Sequence, residues 1–333
     1  MTDDQISLAR LGVTAALREG DSGLAYRMVR DAMDDGVPMP VVVEEVLAPI
    51  QWESGRRWES GDATISEEHV STAAIETLVS MLAGAFDQPP DGELVVVVCA
   101  EGDDHSLPAR MASALLAYEG YRTLFLGTSV PAPDLAEYLE SADADVLLVS
   151  CSRPANLLGA RACVAAGHGA GIPVVVGGRA FGDGPDRWGR IGADAHAPRL
   201  STLAELLQTW QPDLAAAERR AAAVTPSVRA LLANRSRVAD AVHDALTGAD
   251  PDAEPVGRQL LAAAEELVDS LAVASYLGDP ALLAAQARWL ADLLASRAGA
   301  RVSADQLLGD LAEASMSVTG SAALVTAARG TLA

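Results

Sequence analysis

Four apolar runs in the middle of the chain constrain its fold more than any other feature of the sequence. In chain order they read LVVVVC, TLFLG, DVLLVS and IPVVVGG, and helical patterns of apolar residues alternate with them. Parallel strands require crossover connections, so this alternation is typical of a parallel sheet with helices on both faces. A fifth, weaker strand is expected near Ile191–Ala195, before a helix that ends around Trp210. Residues 91–211 are therefore predicted to form a Rossmann-like, flavodoxin-like α/β domain.

The segments on either side of this domain carry helical patterns. Residues 1–87 interrupt their helical periodicity at Gly20, Gly36 and Gly61, which fits four helices. Residues 212–333 are rich in Ala and Leu, with further breaks at Gly and Pro positions, and fit four or more helices. The predicted architecture is an α/β domain flanked by an N-terminal four-helix bundle and a C-terminal, all-α helical bundle.

The charge balance and the N-terminus limit the classes of partner. The chain of 333 residues has 24 Lys and Arg against 46 Asp and Glu, a formal net charge of −22, so its average field repels nucleic-acid phosphates. The start MTDDQ lacks the basic region of a secretion signal, and no apolar run reaches the roughly 20 residues of a membrane span. We therefore expect a cytoplasmic protein without a nucleic-acid or membrane partner.

The three cysteines, Cys99, Cys151 and Cys163, lack paired spacing. This favours reduced thiols that act as small packing residues.

The loops that follow the four strands contain the polar residues of a candidate site. They read EGDDHS, GTSVP, SCSRP and GGRAF, and ligands of open parallel sheets bind beyond the carboxyl ends of the strands, where such loops meet. None of the four has the glycine pattern of a nucleotide phosphate site. They provide instead an imidazole, His105, with an acid, Asp103, two residues before it, together with serines and paired glycines that leave room for a flat group.

These loops resemble the cobalamin-binding domain shared by methionine synthase, corrinoid-dependent mutases and CarH-type photoreceptors. The residues that carry the resemblance are Asp103, His105 and Pro108 in the place of a DxHxxG motif, then Ser150, Ser152, Gly177 and Gly178. The resemblance implies that the benzimidazole tail of the cofactor lies between the strands and that His105 replaces it as lower axial ligand of the cobalt. A carboxylate on the second ring nitrogen orients such a ligand, which is the role expected of Asp103. Pro108 departs from the glycine of the family. The predicted cofactor-binding set in these loops is completed by Asp104, Ser106, Leu107 and Arg179.

A second signal lies in the N-terminal bundle, in the sequence WESGDATISEEH. Thr64 and Glu67 form a capping-box pattern that starts a helix, which places Glu68 and His69 in or just after its first turn. A short turn before this helix folds Trp58 back toward them. An indole, a carboxylate and an imidazole at one end of a helical hairpin can enclose a nucleoside. Taken singly, each of the three is also compatible with a core or solvent-exposed role.

The spacing of Trp58, Glu68 and His69 resembles the Wx9EH motif of CarH-type photoreceptors. That resemblance implies that the three enclose the adenosyl group of adenosylcobalamin, that light breaks the cobalt–carbon bond, and that the ensuing shift changes subunit assembly. In CarH-type proteins the residue after the tryptophan is a histidine that captures the photolysed cobalt, and here it is Glu59. We therefore expect a differently ligated photoproduct, unless His69 takes over that role.

The C-terminal third resembles the photocobilins in its arrangement, a helical bundle behind a CarH-like unit, and those proteins hold a bilin beside the cobalamin. The sequence has no cysteine after Cys163, so a bilin attached to this bundle by a thioether is excluded. A noncovalent biliverdin would need cations for its propionates. The candidate bilin-binding residues are Arg235, Arg237, His243, Tyr276, Arg288 and Trp289. For Tyr276 and Trp289, packing in the bundle core is the more ordinary role.

The sequence thus predicts a light sensor that is not an enzyme, with light-dependent homo-oligomeric assembly and an unknown downstream protein partner. The strongest alternative is a corrinoid methyl-carrier protein of a methyltransferase system. Such a carrier would share His105, but it must open its upper face to partner enzymes. A mutase subunit would need a substrate barrel for which no segment remains. A cobalamin buffer or assembly module is a third possibility, and light-independent oligomer size would indicate it.

Overall fold

The computed structural model describes residues 3–182, 186–247, 254–299, 301–318 and 321–332. The strands within these ranges are β1 Leu94–Cys99, β2 Arg122–Gly127, β3 Val146–Ser150, β4 Val174–Gly177 and β5 Ala195–Ala197. They form one fully parallel sheet in the order β2-β1-β3-β4-β5. This is the order of flavodoxin-like folds, in which the chain changes winding direction between β1 and β3. The predicted parallel sheet is confirmed.

The fifth strand begins later than the sequence pattern predicted. The chain makes a turn at Gly192, where φ is +88°, and only then enters the sheet. Ile191 and Ala193 are 1% and 0% exposed, so they are apolar at alternate positions although they lie in a turn. Asp194 reaches the sheet first, through its backbone N–H, which donates to the carbonyl of Val174 at 2.9 Å. A strand-like pattern in the sequence therefore reflects burial of the turn that precedes β5.

Four helices lie in the described part of the N-terminal segment, as the glycine breaks predicted. They are α1 Asp3–Arg18, α2 Ser22–Asp34, α3, and α4 Ile65–Ala83. Helix α3 is continuous through Met39–Val41, a π-helical segment Val42–Leu47 and Ala48–Glu59. Helix α4 begins at the predicted capping box. There the backbone N–H of Glu67 donates to Oγ1 of Thr64 at 3.2 Å, and the backbone N–H of Thr64 donates to the Glu67 carboxylate at 2.7 Å.

The N-terminal bundle packs on α5 Ser106–Tyr118, the first helix after β1. Leu107 and Leu115 of α5 are buried in the same apolar cluster as Ile75 and Leu78 of α4. Two further contacts fix the relative position of α4 and α5. Ser106 donates a hydrogen bond to Glu76, and Arg110 donates one to Ser80 at 3.5 Å. The two helices therefore run in the same direction, and the first turns of α4 extend past the start of α5.

The remaining helices around the sheet cover both of its faces. They are α6 Ala132–Ala142, α7 Leu157–Gly169, α8 Arg187–Arg190 and α9 Leu203–Thr209. Val96 and Val97, which point to opposite faces of β1, are both fully buried. Burial on both faces explains why the strands read as continuous apolar runs in the sequence.

The three cysteines are buried and unpaired, and burial raises the pKa of the Cys99 thiol to about 12.

The C-terminal segment is helical and packs directly against the sheet domain. Its helices are α10 Leu214–Arg220, α11 Pro226–Ala233, α12 Arg235–Thr247, α13 Glu254–Leu277, α14 Pro280–Ala298, α15 Ala304–Ser315 and α16 Ala322–Gly330. One buried apolar cluster contains Leu147 and Val149 of β3 together with Leu271 of α13 and Leu308 of α15. In the described ranges, each helix is too short or too polar to cross a membrane.

Candidate functional site

The loop between β1 and α5 presents an imidazole on a buried carboxylate. Asp103 is 1% exposed, whereas the His105 side chain is 52% exposed. The ring Nδ1 of His105 lies 2.7 Å from Oδ1 of Asp103, and the backbone N–H of His105 donates to the same oxygen at 3.1 Å. The backbone N–H of Ser152, at the end of β3, donates to the other oxygen, Oδ2. Asp103 thus links the loops that follow β1 and β3, at the point where the winding of the sheet reverses.

These contacts orient the His105 imidazole so that its second ring nitrogen can bind a metal. Burial opposes ionisation of Asp103, but the hydrogen bonds from the His105 ring and from the backbone N–H groups of Ser152 and His105 outweigh it, so the pKa of this carboxyl is below its usual range. An ionised carboxylate accepts from Nδ1, which leaves the Nε2 lone pair of an exposed ring available to a metal. This is the arrangement that the sequence spacing of Asp103 and His105 predicted.

The end of β3 and the end of β4 approach each other closely beside this loop. Gly178 has a φ of +109°, and a Cβ added there would overlap the carbonyl oxygen of Cys151. A Cβ at Gly177 would lie 3.2 Å from the carbonyl oxygen of Ala197. Within the described part of the chain, the buried hydroxyl of Ser152 has no hydrogen-bond partner. Glycine is therefore needed where these backbones approach closely, and the Ser152 hydroxyl remains able to donate or accept a hydrogen bond.

The second candidate cluster lies at the hairpin between α3 and α4. Glu68 accepts hydrogen bonds from Thr72 at 2.5 Å and from Gln51 at 3.3 Å, and its other oxygen lies 2.7 Å from Nδ1 of His69. Burial alone would raise the pKa of Glu68, but these hydrogen bonds lower it below its usual range. The His69 side chain is 70% exposed and the Glu68 side chain 17%. Trp58 is half-buried at the end of α3.

Comparison with protein families matches both clusters. Residues 93–207 match a B12 binding domain, and residues 12–83 match a second B12 binding domain model. These two segments belong to the B12-binding domain families. They include Asp103 and His105 in the first case, and Trp58, Glu68 and His69 in the second. We refer to residues 12–83 and 93–207 together as the cobalamin-binding unit.

Individual relatives match parts of this unit. The HTH-type transcriptional repressor CarH of Myxococcus xanthus is 34% identical over 112 residues, which are 32% of this chain and 36% of CarH, so the chain spans about a third of that protein. Dimethylamine corrinoid protein 3 of Methanosarcina acetivorans is 26% identical over 175 residues, 50% of this chain and 79% of that protein. The solved monomethylamine corrinoid protein of Methanosarcina barkeri is 19% identical with a TM-score of 0.49, over 59% of this chain and 94% of that chain.

The site fits a cobalt corrinoid on three observations of its own. The exposed ring of His105 offers one nitrogen donor, and a corrinoid would bring a cobalt that its own ring already ligates, so one protein donor would be enough to hold it. Among the described residues, no group of three or more His, Cys, Asp or Glu side chains is placed to hold a metal ion by itself. The glycines at the strand ends and the unpartnered Ser152 hydroxyl are compatible with a flat, polar-edged heterocycle beside them. The His105 ring and these strand ends therefore fit a cobalamin-binding unit.

Several other predicted residues of the cobalamin-binding unit make contacts that the sequence did not indicate. Ser106 donates to Glu76 of α4, which joins the His105 loop to the N-terminal bundle. Leu107 is 4% exposed in the apolar cluster between α5 and the N-terminal helices, so its contacts give it a packing role. Asp104 and Arg179 are exposed beside the candidate site, and Ser150 is buried at the end of β3.

The predicted bilin-binding residues all have contacts within the protein. Arg235 is paired with Asp269 and Glu265, and His243 lies 3.5 Å from Asp244. Arg237 donates to Asn234 at 3.3 Å, and Arg288 donates to the carbonyl of Thr331. Tyr276 is 4% exposed, and its hydroxyl donates to the carbonyls of Arg190 and Ala222. Tyr276 therefore lies in the core, where it joins α13 to segments that precede it in the chain. Trp289 donates to Glu59 of α3.

Some residues that set the conformation of the loop backbone were not predicted from the sequence. Gly102 has a φ of +84°, and its N–H donates to Oγ of Ser129, a residue that itself has a φ of +51°. A Cβ at Gly159 of α7 would overlap the carbonyl of Glu101, so this helix can approach the β1 loop only with glycine there. The contact of Ser129 could have been anticipated, because Ser129 lies in the GTSVP loop after β2, one of the loops that meet at the carboxyl ends of the strands. Gly159 lies within an ordinary helical pattern, which gives no such signal.

Proposed function

We propose that this protein is a light sensor that binds adenosylcobalamin, with His105 as the lower axial ligand of the cobalt, and that it is not an enzyme. The observation that carries the proposal is the pairing of two imidazole–carboxylate clusters, Asp103 with His105 and Glu68 with His69, in one unit. When bound, adenosylcobalamin would supply a cobalt–carbon bond that light can cleave. The chain supplies the enclosure on both sides of that bond.

The packing of α4 on α5 supports this enclosure. Ser106, next to His105, contacts Glu76 of α4, and His69 lies about two helical turns earlier on α4, about 10 Å along the helix axis. Because α4 and α5 run in the same direction, the turn with Glu68 and His69 projects past the start of α5, which is the end of that helix where the His105 loop lies. In the proposed complex, the corrinoid lies between this turn and that loop.

Reconstitution with adenosylcobalamin in the dark tests the proposal. We expect the cofactor to stay bound through desalting with the spectrum of the base-off form, and green light to change both the absorption spectrum and the mass of the particle in solution. A spectral change without a change in mass would remove the assembly step from the proposal. Protein that takes up no adenosylcobalamin would overturn it as a whole.

A corrinoid methyl carrier is the second candidate. It is favoured by the match to dimethylamine corrinoid protein 3, which extends over 79% of that protein. Against it stand the half-buried Trp58 and the hydrogen-bonded Glu68, which narrow access to the upper face. Transfer of a methyl group from methylcobalamin-loaded protein to a partner methyltransferase in the dark would support the carrier, and dark-stable adenosylcobalamin with photolysis but no transfer would support the sensor.

A noncovalent biliverdin in the C-terminal bundle is the second chromophore that we propose. Arg288 and Trp289 lie next to each other on α14, and Trp289 reaches the end of α3, so this helix adjoins the cobalamin-binding unit. Biliverdin added to cobalamin-loaded protein is expected to give a complex that absorbs red light. Absence of such a complex at a saturating biliverdin concentration would remove this part of the proposal and leave the cobalamin sensor standing.

A further inference from the structure

Helix α14 of the C-terminal segment holds the residue that follows Trp58. The indole Nε1 of Trp289 donates to Oε1 of Glu59 at 3.1 Å. The hydroxyl of Ser296, about two turns further along α14, donates to the backbone carbonyl of Glu59. Two residues on the same face of α14 thus donate hydrogen bonds to Glu59, one to its side chain and one to its main chain.

The same helix also contacts both ends of the turn that joins α3 to α4. Nη1 of Arg297 donates to the carbonyl of Ala63 at 3.0 Å, directly before the capping residue of α4. Its guanidinium lies 5.7 Å from the centroid of the Trp58 ring, within the range of a cation–π contact. The turn from Trp58 to Ala63 is therefore held by three side chains of α14.

A second contact of the C-terminal segment lies at the lower loops. Arg153, the residue after Ser152, forms a salt bridge with Glu266 of α13. Gln286 of α14 donates to the same carboxylate at 2.8 Å. Since the N–H of Ser152 bonds Asp103, the helix pair α13 and α14 touches both the loop that orients His105 and the turn that carries Trp58.

The Glu59–Trp289 hydrogen bond lies beside open space. A cavity of about 280 Å³ is lined by Arg56, Glu59, Ser60, Trp289, Asp292 and Ser296, among other residues. Trp289 therefore fixes the direction of the Glu59 carboxylate through a specific hydrogen bond, since packing does not enclose that carboxylate on all sides. The side chain has room to adopt another rotamer when the bond is lost.

We propose that Trp289 and Arg297 are positioning residues for the upper face of the cobalamin site: Arg297 holds the indole of Trp58, and Trp289 holds the carboxylate of Glu59 in the C-terminal bundle. This inference rests on the proposed function, because it assigns Trp58 to the upper face of the corrinoid. It adds that α14 sets how tightly the adenosyl group is enclosed. The C-terminal bundle would then respond to any displacement of that turn.

The variants Trp289→Phe and Arg297→Ala test the proposal, with Arg329→Ala as the matched control. Arg329 of α16 also loses a side-chain contact, but its partner is Asp305 of α15 and not the turn. We expect all three to bind adenosylcobalamin with the wild-type dark spectrum, because His105 is untouched. The quantum yield of photolysis should rise roughly threefold or more in the two test variants, the factor that one weak contact represents, because the adenosyl radical escapes a looser enclosure. Arg329→Ala should keep the wild-type yield.

Hydrogen exchange of the apoprotein separates this inference from the proposed function. Amides of the turn from Trp58 to Ala63 should exchange roughly threefold faster or more in Trp289→Phe and Arg297→Ala than in wild type, since each loses one holding contact. Arg297→Lys keeps a donor for the Ala63 carbonyl and should restore much of the protection. Unchanged exchange in both test variants, or an unchanged photolysis yield, would overturn the positioning role. If wild type binds no cobalamin but the turn still exchanges faster in the two variants than in wild type, only the proposed function is contradicted.

Discussion

The two imidazole–carboxylate pairs of the cobalamin-binding unit share one distance and differ in what supports it. Nδ1 lies 2.7 Å from a carboxylate oxygen in both. Asp103 is 1% exposed and accepts from two backbone N–H groups, whereas Glu68 is 17% exposed and accepts from the side chains of Thr72 and Gln51. Backbone donors at a sheet edge are fixed by the fold, while side-chain donors on helices can change rotamer. We therefore expect the lower pair, Asp103 with His105, to provide a permanent ligand, and the upper pair, Glu68 with His69, to have a conditional role.

Removal of the lower imidazole should have the largest effect. We expect His105→Ala to weaken cobalamin binding by about 100-fold or more, because loss of a ligand exceeds the 10- to 100-fold cost of losing the group that orients it. Titration of the apoprotein with hydroxocobalamin, followed by absorption, measures the change. Glu119→Ala removes an exposed carboxylate just after the far end of α5 and serves as control. Uptake of the cofactor by His105→Ala with an unaltered spectrum would end the assignment of this ligand.

Exchange of the two carboxylates for amides compares the pairs directly. Asp103→Asn should reduce cobalamin affinity about 10- to 100-fold, because the amide cannot replace a carboxylate that accepts from three N–H groups. Glu68→Gln should reduce it by less than about threefold, since the upper pair is not needed to hold the cobalt from below. Both values come from the same titration. Equal losses in the two variants would show that the supports of the two pairs are energetically alike.

Local patterns predicted the framework of this protein because they depend on neighbours along the chain. The alternation of apolar runs and helices gave the parallel sheet, the capping box gave the start of α4, and the spacing of Asp103 and His105 gave their contact. Leu107, by contrast, follows the candidate ligand His105 by two positions at the start of α5, and only the packing of α5 on the N-terminal helices decides that it faces the core.

Contacts between distant parts of the chain could not be predicted in this way. Trp289 and Glu59 are 230 positions apart, and neither lies in a pattern that names the other. The support of Asp103 by the N–H of Ser152 joins loops that are 49 positions apart, and a backbone donor leaves no mark in the sequence at all. The sequence therefore predicts which side chains bear the chemistry better than it predicts what holds them.

Two glycines with positive φ sharpen the claim that the lower pair rests on rigid backbone. An alanine at Gly178 would overlap the carbonyl of Cys151, next to the N–H of Ser152 that bonds Asp103, whereas at Gly171 there is no atom within 4 Å of an added Cβ. Both substitutions strain the backbone, but only Gly178→Ala adds a clash, which we expect to cost a further ~1–2 kcal/mol of unfolding free energy. Denaturant unfolding measures the difference. Equal costs would mean that the Cys151 backbone yields and that the lower support is softer than we infer.

The upper imidazole should matter least for affinity and most for the illuminated state. Glu59 is bonded to Trp289, so His69 is the upper-face residue whose ring nitrogen Nε2 is left exposed by a carboxylate on Nδ1. We expect His69→Ala to bind adenosylcobalamin within about twofold of wild type, because the cobalt is held from below, a difference of less than ~0.5 kcal/mol. After green light, a bis-histidine absorption spectrum in wild type and its loss in His69→Ala would identify His69 as the second ligand. Identical spectra in the two proteins would instead show that water or another residue takes the upper position, and the upper pair would then serve only to enclose the adenosyl group.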